Sequence, residues 1–398
     1  MAVSGEGVTF ARGFVAGAIA AGVKQAGTTR LDVAVIASTT DHCHAAGVFT
    51  TNQVIAAPCI VTKKHVGRGH LRGIVVNSGN ANACTGPQGE RDALAMATAA
   101  AALLRVEPAD VAVASTGVIG VPLPMDRVVP AIGRLTLGES GWDDASRAIM
   151  TTDTRPKVAQ REVALSGGTV RIGGIAKGAG MIHPNMATLL SFVTTDALID
   201  GAALRPMLRS AAADSFNAIS VDGDTSTNDT LLLLANGASG VRVGTLDGPV
   251  FLDALTAVCL DLARAVVADG EGATKVFEVH VTGAASESDA RAAARTVTSS
   301  NLVKTAIHGA DPNWGRILAA AGRSGAKVDA ARASVRIGSV SVYEKGAPRP
   351  FDAAAVRSLF GRPEITIELD LGLGDSTARA WGSDLSAEYV RINADYTT

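Results

Sequence analysis

The stretch "KGAGMIHPNMATLLSFVTT", Lys177–Thr195, decides how this chain is read. Its glycine-rich opening, continuous with "GGIAKGAG" (Gly173–Gly180), invites comparison with a phosphate-binding loop. A Walker loop requires Gly-Lys-Ser/Thr, whereas the order here is Lys177-Gly178-Ala179, and the dinucleotide fingerprint fails on glycine spacing. The plain reading is a turn feeding the strand-like run "TLLSFVTT". The sharper reading starts at Thr188, where loop becomes strand behind the small residue Ala187. A hydroxyl is a weak nucleophile unless a base stands beside it. A threonine that begins its own chain carries that base as its α-amino group, whose pKa of about 7.7–8.0 suits the task. Reaching that state requires the chain to cut itself: the hydroxyl attacks the preceding carbonyl and the resulting ester hydrolyses. Ala187, the Pro184-Asn185 bend and the following strand supply what such a cut needs. The spacing alone leaves both readings open, an ordinary strand start or a self-cleaving junction.

Around this stretch, strand-like and helix-like segments alternate, and no repeat at solenoid periods is found. "GIVVNSG" from Gly73 and "VAVAST" from Val111 are short apolar runs closed by turn residues, which predicts buried strands. From Leu255, apolar residues recur at Val258, Cys259, Leu262 and Val266, one face of a helix that should stop near Gly270. "KVFEVHVTG" alternates, with Phe277, Val279 and Val281 facing one way and Glu278 and His280 the other. The small, polar "AASESDAR" that follows, with an N-cap-like serine, places a domain boundary near Ala284. "EITIELDLGLGDSTARAWGSD" (Glu364–Asp384) reads as a terminal hairpin. The expected class is α/β (α+β), with residues 1–283 forming a larger domain and 284–398 a smaller one.

The bulk properties agree. A chain of 398 residues exceeds one typical hydrophobic core, and 47% hydrophobic residues exclude a disordered one. A net charge of -2 gives no support to nucleic acid or an acidic membrane surface as partner. The basic run "KKHVGRGH" (Lys63–His70) is read as a solvated loop, with a contact to cofactor phosphates as the alternative. The N-terminus lacks the basic start and apolar stretch of a signal peptide, and "ALAMATAAAALL" from Ala93 is too short to span a bilayer. Cys43, Cys59, Cys84 and Cys259 are far apart and form no paired framework, which points to a reducing, cytoplasmic setting.

Two further clusters carry possible metal ligands. "DHCH" (Asp41–His44) groups potential metal ligands, but consecutive side chains on a strand face opposite ways, and neither Cys-x-x-Cys nor His-Glu-x-x-His occurs. No metal site is expected. "DGDTSTNDT" (Asp222–Thr230) has the oxygen density of a calcium loop, yet carries Thr227 and Leu233 where an EF-hand requires glycine and glutamate. It is read as a hydrogen-bonded turn near a polar site.

"KGAGMIHPNMATLL" closely resembles the cleavage segment of the ornithine acetyltransferase (glutamate N-acetyltransferase, ArgJ-type) family. "AAGVFTTN" (Ala45–Asn52), "NSGNANACTG" (Asn77–Gly86), "STGVIG" (Ser115–Gly120), "IMTTDTRPK" (Ile149–Lys157), "DGDTSTNDT", "DGEGATK" (Asp269–Lys275), "GADPNWGR" (Gly309–Arg316) and "YVRINADYTT" (Tyr389–Thr398) extend the resemblance along the chain in order. It implies a layered catalytic domain of the N-terminal-nucleophile type (ArgJ/DmpA-like), cleavage between Ala187 and Thr188, Thr188 as nucleophile and, through its α-amine, base, and Thr116 and Gly117 as the oxyanion hole. It also implies substrate contacts from Thr151, Lys177, Thr188, Glu271, Asn393 and Thr398, with Thr152 as the alternative to Thr151. Asn393 and Thr398 can serve only if the C-terminal tail folds back over the site.

The implied reaction carries an acetyl group from N2-acetyl-L-ornithine to L-glutamate through acetyl-Thr188, in arginine biosynthesis. No bound cofactor is implied. Acetyl-coenzyme A as a second acetyl donor stays open, and no residue decides it. The implied assembly is a heterotetramer of two α (1–187) and two β (188–398) fragments. The alternatives are an amidase or aminopeptidase with water as acceptor, and a non-catalytic amino-acid-binding protein that remains uncut.

Overall fold

The computed structural model describes residues 5–183 and 189–395. The expected junction at Ala187 and Thr188, and Thr398 at the tail, lie outside the described residues.

The described residues form three β-sheets. The first runs Phe14–Ile19, Val33–Ser38, Gly73–Asn77, Val111–Ser115, with the last two strands parallel. The second runs His44–Phe49, Thr230–Ala235, Leu190–Thr195, Gly168–Lys177, Lys157–Leu165, with Thr230–Ala235 and Leu190–Thr195 parallel. Strands buried on both faces read as continuous apolar runs rather than alternating ones. That is why "GIVVN", "VAVAS" and "LSFVTT" are buried along their whole length.

These two sheets pack face to face. Phe14, Ile36, Ile74, Val76, Ala112 and Ala114 from one meet Ile175, Leu190, Phe192, Leu232 and Leu234 from the other. The outer face of the first sheet, through Val33, Val35, Val75, Val111 and Val113, is covered by Ala93, Met96, Ala97, Ala100 and Ala101 of the helix Gly86–Leu104. The outer face of the second packs against the helices Gly201–Ala213 and Gly248–Ala268. The layers therefore run helix, sheet, sheet, helix, the mixed α/β class expected. Leu255, Val258, Cys259, Leu262 and Val266 are buried on one face of Gly248–Ala268, and the Gly270 N–H donates to Val267 O where that helix ends.

The third sheet gathers most of its strands from the C-terminal part of the chain. Its order is Ala347–Pro348, Val340–Glu344, Ser334–Ile337, Glu364–Asp370, Val276–Ala284, Ser376–Ser383, Ile219–Ser220. Phe277, Val279 and Val281 face a core shared with the helices Glu287–Thr298, Asn301–His308, Trp314–Gly322 and Ala353–Phe360. Ser286 caps Glu287–Thr298 by accepting the Asp289 N–H. The boundary expected near Ala284 falls at the end of Val276–Ala284, a strand that belongs to this sheet.

The terminal hairpin is corrected. Glu364–Asp370 and Ser376–Ser383 do not pair with each other; Val276–Ala284 lies between them, parallel to the first and antiparallel to the second. The linking loop arches over the strand end, its Leu373 and Gly374 N–H groups donating to Gly283 O. It spans two inter-strand spacings, roughly 9–10 Å, which five residues cover easily. Alternation identified both strands but carried no information about a partner arriving from elsewhere in the chain.

Candidate active site

Strand ends from the two packed sheets meet at a cleft of about 120 Å³. The strand Gly168–Lys177 ends on Lys177, and Gly178 at φ +152° turns the chain away. The strand Val111–Ser115 leads directly into Thr116 and Gly117. The turn between them is braced by the "NSGNANACTG" segment: the Thr116 N–H donates to Asn77 O (3.0 Å) and Ser115 Oγ to Asn77 Oδ1 (2.6 Å). Asn228 Nδ2 ties this corner to the second sheet through Ala81 O (2.6 Å) and Ser115 O (3.0 Å). Gly117 holds φ +130° with its backbone pressed against Gly79 and Asn80, a place without room for a side chain.

Thr116, Gly117, Thr151, Lys177, Glu271 and Asn393 all line this cleft. Lys177 Nζ donates to Thr151 Oγ1 (2.8 Å) and Thr116 Oγ1 (3.2 Å). Thr152 also lines the cleft, but the Lys177 bond belongs to Thr151. The Glu271 N–H donates to Ala179 O (2.9 Å), and its carboxylate accepts from Asn393 Nδ2 (2.8 Å). Asn393 lies on the helix Ala387–Asp395, so this part of the tail does return to the cleft. Ser386 Oγ, donating to Gly272 O at 2.6 Å, docks the start of that helix. Leu189 and Leu190 complete the lining where the strand Leu190–Thr195 begins.

The electrostatics are uneven. Burial pulls the Lys177 ammonium below the ordinary lysine range, with Lys157 adding to the effect, while Asp153, Glu271 and Asp229 oppose it. Burial would push Asp153 up, but Lys177 and Lys157 beside it hold its carboxyl at about 2. Asp229, 1% exposed, lines the cleft with neither oxygen at hydrogen-bond geometry to a partner among the described residues. Burial drives its carboxyl well above the usual range; the nearby Ser226 and Thr50 hydroxyls temper this only weakly, since the Thr50 proton is committed to Ser226 O.

Sequence reasoning had not singled out Asp153, Lys157, Asp269, Asn228 or Asp229. Each sat inside a quoted signature; for Asn228 and Asp229 the available signal was a polar side chain just ahead of a buried strand, whereas Asp269 follows the end of a helix. "DGDTSTNDT" takes its expected place near a polar site: Ser226, Thr227, Asn228 and Asp229 line the cleft, and Asp222 accepts the Met181 and Ile182 N–H groups. The basic run at Lys63–His70 lies elsewhere. His65 Nδ1 bonds Val111 O and Arg68 pairs with Asp110, at the end of that strand opposite Thr116, roughly 20 Å away for six extended residues. Among the described residues, no group of three His, Cys, Asp or Glu is placed to hold a metal, and no helix is long and apolar enough to cross a membrane.

Comparison with known proteins adds a family. The model of the ArgJ family matches residues 15–398. The Arginine biosynthesis bifunctional protein ArgJ of Symbiobacterium thermophilum is 52% identical over 397 residues, covering 98% of each chain. The protein of the same name from Dehalococcoides mccartyi is 50% identical, covering 98% of this chain and 97% of its own. A crystal structure of the Bacillus halodurans protein of that name matches at a TM-score of 0.50 and 42% identity. The match takes in 98% of that solved chain and 52% of this one.

Proposed function

The chain belongs to the ArgJ family, and on that premise we propose that it transfers the acetyl group of N2-acetyl-L-ornithine to L-glutamate, as an acyltransferase of arginine biosynthesis. The observation that carries this reading is the convergence of Thr116, Gly117, Thr151, Lys177, Glu271 and Asn393, from distant stretches of sequence, on one cleft that also holds Leu189. Leu189 directly follows Thr188, so the nucleophile assigned by the family resemblance is its chain neighbour.

Thr188 Oγ attacks the acetyl carbonyl while its α-amine takes the hydroxyl proton. The oxyanion is held by the Thr116 hydroxyl and the Gly117 N–H. The bond to the ornithine nitrogen breaks, the α-ammonium returns the proton to that nitrogen, and ornithine leaves behind an acetyl-threonine ester. The glutamate amine attacks the ester, loses a proton to the α-amine, and departs as N-acetylglutamate while Thr188 Oγ recovers its hydrogen. A hydroxyl has one hydrogen to give. Because Thr116 Oγ1 accepts from Lys177, that hydrogen is free for the oxyanion, where one donor is worth about 2.7–4 kcal/mol. Lys177 faces the substrate carboxylate, and Glu271, steadied by Asn393, takes an ammonium group.

Self-cleavage at Ala187-Thr188 creates the α-amine. The half-length solved relative supports a divided chain, since a 188–398 fragment also amounts to about half. Two such pairs form the heterotetramer in this reading. Residues 1–283 make the catalytic domain and 284–398 the smaller α/β domain whose tail, through Asn393 and Thr398, completes the site. The name "bifunctional" carried by the relatives supports acetyl-coenzyme A as a second donor. Four free cysteines suit a cytoplasmic location.

The test is an assay with acetyl-labelled N-acetylornithine and varied glutamate. Parallel double-reciprocal lines and label in N-acetylglutamate are expected. Label released as free acetate at the same rate with or without glutamate would make water the acceptor and overturn the reading.

A further inference from the structure

Two aspartates and two lysines are buried together behind the cleft, and the reaction above uses one of the four. Asp153 Oδ1 accepts from Lys157 Nζ (2.5 Å) and the Gly178 N–H (2.6 Å). Its Oδ2 accepts the Thr151 N–H (2.9 Å) and lies 3.9 Å from Lys177 Nζ. Lys157 Nζ also donates to Asp269 Oδ2 (2.5 Å), which accepts the Thr154 N–H (3.0 Å); the Thr154 hydroxyl donates to Asp269 Oδ1. The side chains of Lys157 and Asp153 are wholly buried, and that of Asp269 nearly so.

We propose that Asp153 is a positioning residue of the acetyl transfer: it stands behind Lys177, keeps that ammonium charged inside the protein, and fixes its direction toward the substrate carboxylate. The inference rests on the reading of Lys177 as the carboxylate contact.

A buried ammonium without an anion loses its proton rather than bear the cost of desolvation. The charged groups facing Lys177 are Asp153, Lys157, Glu271 and Asp229, with the Thr116 and Thr151 hydroxyls as further neighbours. Asp229 is driven toward its neutral form by burial, and Glu271 is engaged by Asn393 across the cleft. Lys157 adds a like charge. Asp153 is left as the ionised partner from behind, and the same carboxylate anchors the backbone on both flanks of the lysine, at Thr151 and Gly178. Asp153 is the one carboxylate within 4 Å of Lys177 Nζ among the described residues, so with its charge removed Lys177 should lose its proton within the working pH range.

The experiment measures kcat/KM for N-acetylornithine, relative to wild type, from pH 6 to pH 9 in Asp153→Asn. Comparison with wild type at each pH cancels the titration of the threonine amine. The relative value should fall at least about tenfold across the range, because burial can shift a lysine by several units, and should recover at the acid end. A constant deficit, which a merely structural defect would give, overturns the proposal. Should Asp153→Asn fail to fold, Asp153→Asn/Lys157→Met removes one buried charge of each sign and still leaves Lys177 without its carboxylate. It must show the same fall with pH, and a flat ratio there overturns the proposal equally. Lys177→Met separates the role of Asp153 from that of Lys177. Its kcat/KM should be low at every pH. If it is low while both Asp153 variants are flat, only the role of Asp153 is lost; if it matches wild type, the reading of Lys177 is lost with it.

Discussion

Replacing Gly117 with alanine should remove most of the turnover and little else that a neighbouring glycine does not also lose. A Cβ at Gly117 would lie 2.5 Å from Asn80 N and 2.8 Å from Gly79 Cα, and closer still to the Gly79 carbonyl carbon. Carbon contacts settle near 3.5–4.0 Å, so the two turns must part by about 1 Å. The backbone at φ +130° adds strain of about 1–3 kcal/mol for any residue with a side chain. A displacement of about 1 Å in a reacting geometry can cost about 10²-fold, and losing one oxyanion donor costs about 10²–10³ in kcat. The expected fall in kcat is therefore about 10²–10³. Gly120→Ala is the control: its φ of +82° imposes comparable strain, but nothing lies within 4 Å of the added methyl. Both variants should melt a few degrees lower by thermal unfolding, while only Gly117→Ala loses turnover in the acetyl-transfer assay. A Gly117→Ala enzyme with kcat within about threefold of Gly120→Ala would refute the assignment, since the donor itself is worth far more than that.

Three further outcomes are expected. Gly180→Ala would put a methyl 2.5 Å from the Glu271 carboxyl carbon and push that side chain off Asn393, so KM for ornithine-bearing substrates should rise about tenfold or more, the scale of one lost charge-assisted bond; an unchanged KM would remove Glu271 from ammonium binding. Asp222→Ala leaves the Met181 and Ile182 N–H groups without their acceptor, about 1–3 kcal/mol of lost order just ahead of the junction, and a time course on a denaturing gel should show self-cleavage slowed about tenfold. His183 is held at about 4, chiefly by burial and further by Arg295, against 6.5 when unfolded. Between those values the unfolded chain binds more protons, so stability is lost as pH falls through that window; melting temperatures from pH 7 to 4 should drop more steeply in wild type than in His183→Gln.

Much of the fold was legible because buried strands announce themselves as short apolar runs. Gly73–Asn77 and Val111–Ser115 were found this way and prove to be adjacent and parallel. The pairing of Glu364–Asp370 was not legible, because alternation gives a strand's faces and says nothing of the strand that arrives from residue 276 to lie beside it. The site was legible at the level of resemblance: the motifs named Thr116, Gly117, Thr151, Lys177, Glu271 and Asn393, and the structure brings them to one cleft. Choosing Thr151 over Thr152 as the partner of Lys177 required side-chain direction, which sequence spacing leaves undetermined. The Asp153–Lys157–Asp269 cluster was hidden for a different reason: Asp269 lies more than a hundred residues from its lysine, and a lone aspartate at a predicted helix end reads as solvated. Asp229 was likewise absorbed into a polar turn, although it directly precedes the apolar strand Thr230–Ala235 and is buried with it.

The central claim is that Thr188, freed by self-cleavage, carries the acetyl group. Intact-mass analysis with N-terminal sequencing, after incubation with N-acetylornithine in the absence of glutamate, tests it most directly. The account predicts two fragments, 1–187 and 188–398, the second beginning Thr-Leu-Leu, heavier by one acetyl group on its first residue, and returning to its original mass when glutamate is added. A single uncut chain that still transfers acetyl groups, or an acetyl group that stays off Thr188 throughout turnover, would contradict it.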